Sequence, residues 1–240
     1  MSALVPRPDI LTARRLLAVQ PHPDDNEIGA GALLARLCAL GCVVRYVTVT
    51  DGAMGTADAA LAPAELARRR LVEADAAAAV LGVDGGRHLG HRDLVEGPMP
   101  SLRQELLGEI AAFDPDFLLT CDPWLPYESH PDHRNVGLAV AEAACFIGFP
   151  HVPGAPRAAV RQPAVAFYAT AHTNVRIAAG EFWERKWQAI AEHRSQFDPV
   201  GLLQLRALVE EQSTGEEGPY EAFKVLHPVY LHFNPAAVTA

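Results

Sequence analysis

Two short stretches concentrate the residues able to do chemistry. Pro21-His22-Pro23-Asp24-Asp25-Asn26-Glu27 crowds an imidazole and two or three carboxylates into one turn, and Tyr127-Glu128-Ser129-His130-Pro131-Asp132-His133 offers two histidines and an acid. Carboxylates this close repel, and their pKa values rise unless a cation or a ring of donors compensates. A divalent metal is the economical explanation. Together the stretches exceed the two imidazoles and one carboxylate of a catalytic zinc that keeps its fourth position for water. The surplus acid and the surplus histidine then remain for proton transfer. Either loop alone is ordinary turn chemistry, because Asp-Pro and His-Pro steps are common in turns. The conjunction of two such loops, each following an apolar run, is what points to a metal site.

Elements of known period must position these loops. Residues 15–20 (Arg-Leu-Leu-Ala-Val-Gln) form an apolar run closed by Pro21, residues 27–40 carry apolar side chains at helical spacing, and residues 43–49 are rich in β-branched types. This is a βαβ unit. The alternation continues with a helix over 63–81 ended by Gly82, an extended piece at 87–89, a helix over 101–113 with Ser101 as its cap, and a buried strand over 116–121. A polar loop over 122–133 leads to a helix from Asn135 to about Phe146. After a proline-rich connection the pattern predicts a strand over 164–170, helices over 181–193 and 200–211, a flexible loop over 212–219 and a terminal extended run over 227–233. Strands alternating with helices imply an α/β, Rossmann-like fold, a mainly parallel sheet with helices on both faces. No internal repeat is visible, so residues 1–240 are expected to form one domain. In such sheets ligands collect beyond the carboxyl ends of the strands, where both loops fall.

Composition narrows the function. The chain has 240 residues, 20 Lys+Arg against 29 Asp+Glu and a formal net charge of −9, with half of its residues hydrophobic. That suits a folded domain with a sizeable core and argues against a nucleic-acid partner, which needs a basic patch. The Arg68-Arg69-Arg70 run sits in a helical pattern and reads as a solvated face. The start has no signal-peptide pattern and no stretch approaches the ~20 apolar residues of a membrane span. Cys38, Cys42, Cys121 and Cys145 are few and mostly in apolar surroundings, as expected of reduced thiols in a cytoplasmic protein. His88, His91, His151, His172, His193, His227 and His232 show no partner pattern and read as structural or surface residues.

Three rival readings follow from the same residues. Two histidines and a carboxylate also describe a non-haem iron(II) oxygenase, although the alternating α/β pattern and the surplus acid of the Asp24-Asp25 pair favour hydrolysis. Gly29-Ala30-Gly31 opening a helix suggests a dinucleotide-binding module, but Leu34 fills the third glycine position and the loop is acidic where a pyrophosphate must sit. A catalytically silent metal-binding protein would keep the ligands and lack turnover.

His22-Pro23-Asp24-Asp25 followed by Glu27-Ile28-Gly29, with His130-Pro131-Asp132-His133 further on, resembles the paired signature motifs of the PIG-L/LmbE-like N-deacetylases. Thr50-Asp51-Gly52, Arg70 and Glu73 ahead of Leu81-Gly82-Val83, and His193-Arg194-Ser195-Gln196 extend the likeness over most of the chain. The sequence departs from the commonest family form at Pro21, Asn26 and Gly31-Ala32, none of them a metal ligand. The resemblance implies a hydrolase that uses zinc, or another divalent metal, to remove acetyl from an N-acetylated amino sugar or small N-acetylglucosaminyl glycoside, chitin disaccharide and thiol-precursor glycosides included. It implies His22, Asp25 and His133 as metal ligands, Asp24 as general base, and His130, oriented by Asp132, as the group that stabilises the oxyanion and protonates the amine. By the same resemblance Arg70 reaches the sugar or its aglycone; an ion pair with Glu73 at i,i+3 is the competing reading. Trp124, with Tyr127, offers an apolar platform for a sugar ring. A homo-oligomer, trimer or hexamer, is also implied.

Overall fold

The run at 15–20 has no polar face. In the computed structural model, which describes residues 5–94, 100–158 and 160–233, β1 (Arg15–Gln20) sends Leu16 and Ala18 into one core and Leu17 and Val19 into another. A strand apolar on both sides belongs in the middle of a parallel sheet covered on both faces. β1 accordingly pairs in parallel with β2 (Val43–Thr50) on one side and β4 (Phe117–Cys121) on the other. β3 (Gly86–His91) extends the parallel set beyond β2, and β5 (Ala164–Tyr168) extends it beyond β4. Then β8 (Gly218–Leu226) runs antiparallel to β5, and both β6 (Val175–Ala178) and the short β7 (Thr214–Gly215) pair antiparallel with β8. The order is β3-β2-β1-β4-β5-β8-β6, with β7 off this path.

Helices α1 (Asp25–Ala39), α2 (Pro63–Leu81) and α5 (Phe182–Ile190) pack on the face presented by Leu16 and Ala18. Helices α3 (Pro100–Phe113) and α4 (Pro131–Phe146) cover the opposite face. α6 (Pro199–Ser213) lays Leu202, Leu205 and Val209 against Trp183, Trp187 and Ile190 of α5. The expected α/β sheet with helices on both faces is therefore present. The strand order reverses direction between β1 and β4, so the crevice beyond their carboxyl ends is where such a sheet binds ligands.

Several sequence expectations are corrected. α4 begins at Pro131 rather than at Asn135, because Pro is pre-set for the first helical position and His130 acts as the N-cap, its Nδ1 accepting the Asp132 N–H. Asp132 and His133 thus ride on the first helical turn. Ser101 lies inside α3, which starts at Pro100, so it is not the cap. The flexible loop at 212–219 is instead the end of α6 and the β7–β8 hairpin, and the terminal extended run at 227–233 is a 3-10 turn, Pro228–Leu231. The last strand lies earlier, where Glu221, Phe223 and Val225 alternate into the interior. A buried acid at one inward position disguised that alternation.

The acid has a partner. α1 kinks at Ala30 (φ −152°, ψ 18°), and the Glu221 carboxylate accepts the freed N–H groups of Ala32 at 3.0 Å and Leu33 at 2.7 Å, while Lys186 Nζ donates to it at 2.8 Å. Three elements, α1, α5 and β8, are tied at one buried carboxylate. The glycines before the kink serve close packing: a Cβ on Gly29 would lie 2.3 Å from the Tyr168 ring, and one on Gly31 would lie 2.9 Å from Lys186 Cγ. That removes the reason to read them as a pyrophosphate loop. Lys186→Met would leave the Glu221 charge buried without its cation, and loss of one partner of a buried pair costs about 3–5 kcal/mol. Denaturant unfolding should show a loss of that size, with Lys186→Met/Glu221→Gln less destabilised than the single variant.

Candidate active site

Four parallel strands deliver strained turns to one edge. Asp24 (φ 135°) follows β1, Leu94 (φ 58°) follows β3, Tyr127 (φ 69°) follows β4 and Ala169 (φ 50°) follows β5. Non-glycine residues in this region cost about 1–3 kcal/mol and collect at binding and catalytic sites. The turn after β1 is braced from below. Gln20, the last residue of the strand, donates from Nε2 to Thr48 Oγ1 at 2.9 Å and accepts the Asn26 N–H on Oε1 at 2.9 Å. The His22 N–H donates to Asp25 Oδ2 at 2.8 Å, which closes the turn and points the Asp25 carboxylate back at its own imidazole.

The two expected loops meet. His22 Nδ1 lies 3.2 Å from Asp25 Oδ2, and His133 Nε2 lies 3.5 Å from Asp25 Oδ1. One carboxylate thus faces two imidazoles. His133 Nδ1 is 3.0 Å from Glu128 Oε2, and a carboxylate there accepts a hydrogen bond from Nδ1–H, which in the neutral ring leaves the Nε2 lone pair aimed at Asp25. A lone pair facing a carboxylate oxygen requires a proton or a cation between them. His22, His130 and His133 each offer a nitrogen within 4.8 Å of the others. These donors suit a divalent cation, with Glu128 as the outer carboxylate that orients a ligating histidine. His130 is set up differently. Its Nδ1 accepts the Asp132 N–H at 3.3 Å, so in the neutral ring the proton sits on Nε2 and the free edge is a donor.

Electrostatics reflect the crowding. Burial opposes a charge on His22, but Asp132, Asp25 and Asp93 outweigh it and push the imidazole up to about 11. Burial would also raise Asp25, yet the hydrogen bonds from His133 and His22 hold it well below the usual carboxylate range. Asp24 moves the other way: burial, then the neighbouring Asp25 charge, push it up to about 7 against the pull of Arg70. His130 is lowered by burial and by its two histidine neighbours, consistent with a neutral ring. Without a metal, protons on His22 and His133 neutralise this cluster; a dication would replace them.

Not every expected partnership is found. The Asp132 carboxylate stands 3.9 Å from His130 Nδ1 and closer to His22 Nε2, at 3.2 Å, with the Leu94 N–H donating to it at 2.9 Å. It is the Asp132 backbone, rather than its carboxylate, that orients His130. Arg70 does not pair with Glu73. Buried on α2, it donates to Asp24 Oδ2 at 3.1 Å and to the carbonyls of Pro23 at 2.8 Å and Gly52 at 2.9 Å. Glu73 instead receives the Ser195 N–H at 2.9 Å and its hydroxyl at 2.6 Å. Arg70 still lines the cavity of about 240 Å³ that contains His22, Asp24, Asp93 and His130. Trp124 does not; it lines a second cavity beyond the loop that follows β4.

Asp93 was missed in the sequence, as was the pairing of His193. Asp93 Oδ1 is buried without a hydrogen-bond donor, 3.3 Å from His22 Nε2, and Asp93 Oδ2 accepts the Met54 N–H at 2.9 Å. Its position just after β3 was the available signal, the same one that marks the other two loops. His193 is fully buried beyond the end of α5, its Nε2 3.5 Å from Glu27 Oε2. A single histidine in an Ala/Glu-rich segment carries no sign of that partner.

Comparison with known proteins agrees with this geometry. The family model PIG-L, GlcNAc-PI de-N-acetylase, matches residues 17–144, which span both histidine loops. Diacetylchitobiose deacetylase of Thermococcus kodakarensis is 38% identical over 234 residues, covering 93% of this chain and 87% of the relative. A 1D-myo-inositol 2-acetamido-2-deoxy-alpha-D-glucopyranoside deacetylase of Thermobifida fusca is 27% identical, covering 89% of this chain and 93% of the relative. Among solved structures, N,N'-diacetylchitobiose deacetylase from Pyrococcus horikoshii superposes with a TM-score of 0.85 at 32% identity, covering 94% of this chain and 88% of that one. The paired loops, the parallel sheet that carries them and these full-length likenesses converge on one assignment: the chain belongs to the PIG-L family of de-N-acetylases.

Proposed function

We propose that this protein is a zinc-dependent hydrolase that removes the acetyl group from an N-acetylated amino sugar or a small N-acetylglucosaminyl glycoside. The observation that carries the reading is Asp25, with one oxygen facing His22 and the other facing His133, next in sequence to a second buried carboxylate held apart by Arg70. Relatives acting on a chitin disaccharide and on an inositol glycoside share only the acetamido sugar, so the amide is the common element and the aglycone the variable one. Within this proposal the protein is a single domain. No helix among the described residues is long and apolar enough to cross a membrane, and all four cysteines are free. A cytoplasmic homo-oligomer, trimer or hexamer, completes the reading.

His22, Asp25 and His133 would hold the metal. When bound, a divalent cation polarises the amide carbonyl and lowers the pKa of water. Asp24 is the base that accepts the proton of the attacking water. Its backbone strain and the Arg70 hydrogen bond keep one oxygen engaged and leave the other for that proton. As water oxygen bonds to the acetyl carbon, the former carbonyl oxygen gains charge, and the Nε2–H edge of His130 donates to it. Cleavage of the C–N bond then needs a proton on the departing nitrogen, which Asp24 or His130 returns. Acetate and a free amine result. Asp93 and the Asp132 carboxylate stay beside His22 and fix its ring.

Release of free amine from N-acetylglucosamine, its chitin disaccharide and simple N-acetylglucosaminyl glycosides should disappear in metal-stripped protein and return with zinc. His133→Ala and Asp25→Ala should each lose both the metal, by elemental analysis, and the turnover; full metal content in both variants would refute the ligand set. Asp24→Asn should retain zinc and lose ~10²-fold or more in kcat, the size of a general-base contribution. For His130→Ala, steady-state kinetics should show the loss in kcat with KM little changed, as for a group that acts in the transition state. An effect confined to KM would remove it from that role.

A further inference from the structure

We propose that the cavity enclosed by the ends of β4, β5 and β8 is a second sugar subsite, which holds the neutral ring attached to the reacting acetamido sugar on an indole platform made by Trp124. This rests on the deacetylase reading above and extends it to the rest of the substrate.

The reaction cavity of about 240 Å³ is lined by His22, Asp24, Arg70, Asp93 and His130 together with Met54, Gly55 and Leu94, and among the described residues no Trp, Tyr or Phe enters its wall. The ring that is processed there meets polar side chains together with Met54 and Leu94, and no aromatic platform of Trp, Tyr or Phe. A second cavity of about 260 Å³ contains Asp122, Trp124, Phe167, His172, Lys224 and Tyr230. The two are neighbours along the carboxyl edge of the sheet. Residues following β1, β2, β3 and β4 line the first; the second is lined by residues at the ends of β4 and β5 and by their neighbour β8. The loop after β4 contributes to both, with Asp122 and Trp124 at its start in one cavity and His130 at its end in the other. Each volume falls below the roughly 300–1,000 Å³ of a drug-sized site, so each accommodates one ring rather than a chain.

The chemistry of the second cavity is that of a carbohydrate site. Trp124 is 52% exposed, whereas Trp183 and Trp187 are buried between α5 and α6. Its ring meets Phe167 edge-on, centroids 5.7 Å apart at 72°, and its N–H on the backbone donates to Asp122 Oδ1 at 2.9 Å. The platform is thus fixed before any ligand arrives, and its open side offers a flat apolar surface for the C–H face of a pyranose. Around it stand an acceptor, Asp122, a donor, Lys224, placed beside Phe167 by strand register, and the His172 imidazole. The Asp122 charge acts on Lys224, so the cavity carries compensating charges and favours hydroxyl groups over a phosphate or an ammonium group. Ala169, between Phe167 and His172, is held at φ 50°, a strained conformation of the kind that collects at ligand clamps.

The test compares N-acetylglucosamine with its β-linked chitin disaccharide on the zinc-loaded enzyme, in wild type, Lys224→Met and His172→Ala. Loss of a hydrogen bond to the second ring should raise KM for the disaccharide by about tenfold, with kcat/KM for the monosaccharide unchanged within about twofold, which also shows that the variants fold. A second readout is independent of turnover: titration of the zinc-loaded, turnover-deficient Asp24→Asn enzyme with the chitin disaccharide should change tryptophan fluorescence saturably, and titration of Asp24→Asn/Trp124→Leu should not. Equal effects on both sugars, or none on either, with no saturable fluorescence change, would overturn the subsite and leave the deacetylase reading standing. A saturable signal that Trp124→Leu abolishes, without amine release from any acetamido sugar, would support the subsite and overturn the deacetylase reading.

Discussion

Excess negative charge around one imidazole is the constraint on which the rest of this structure depends. Asp25, Asp93 and Asp132 each bring an oxygen within 3.3 Å of a nitrogen of His22, and Asp24 stands beside them in the chain. Such a cluster is unstable in a buried setting unless cations offset it. The protein answers in two ways. Arg70 supplies a permanent charge to Asp24, and the histidines supply a replaceable one, as protons or as ligands to a metal. Separating the two neighbouring carboxylates in this manner leaves Asp25 facing two imidazoles while Asp24 keeps a higher basicity.

Holding that arrangement requires rigid support from elements far apart in the chain. α1 carries Asp25 and Glu27 in its first turn, and its position is set by Tyr168 against Gly29, Lys186 against Gly31 and the Glu221 carboxylate at the kink. α2 brings Arg70 to the turn after β1, and its Glu73 fastens Ser195 beyond α5. The polar contacts are satisfied across the sheet edge rather than within any one loop. This explains why strained backbone at Asp24, Leu94 and Tyr127 is tolerated: the surrounding packing over-determines it.

Much of this was legible in the sequence because it is local. The strands at 15–20 and 43–49 follow from apolar period, and the crowding of imidazoles and carboxylates follows from residue types packed into two loops. Where neighbours in space are distant in sequence, the reading failed. The last strand was overlooked because Glu221 interrupts its apolar face, and only the arrival of Lys186 and of two α1 N–H groups makes a glutamate acceptable there. His193 looked idle because its partner Glu27 lies at the other end of the chain.

The sequence by itself determined the fold class and the residues that the two histidine loops bring to the site, since periodicity and loop chemistry are properties of contiguous residues. Tertiary structure alone decided the pairings: Arg70 with Asp24 instead of Glu73, the Asp132 carboxylate with His22 instead of His130, Asp93 as a further acid at the centre, and Trp124 in a cavity of its own. The physical reason is that a helical spacing of i,i+3 offers a contact worth only a few tenths of a kcal/mol, whereas a buried charge must find a partner. Where the two compete, the burial that the fold imposes wins.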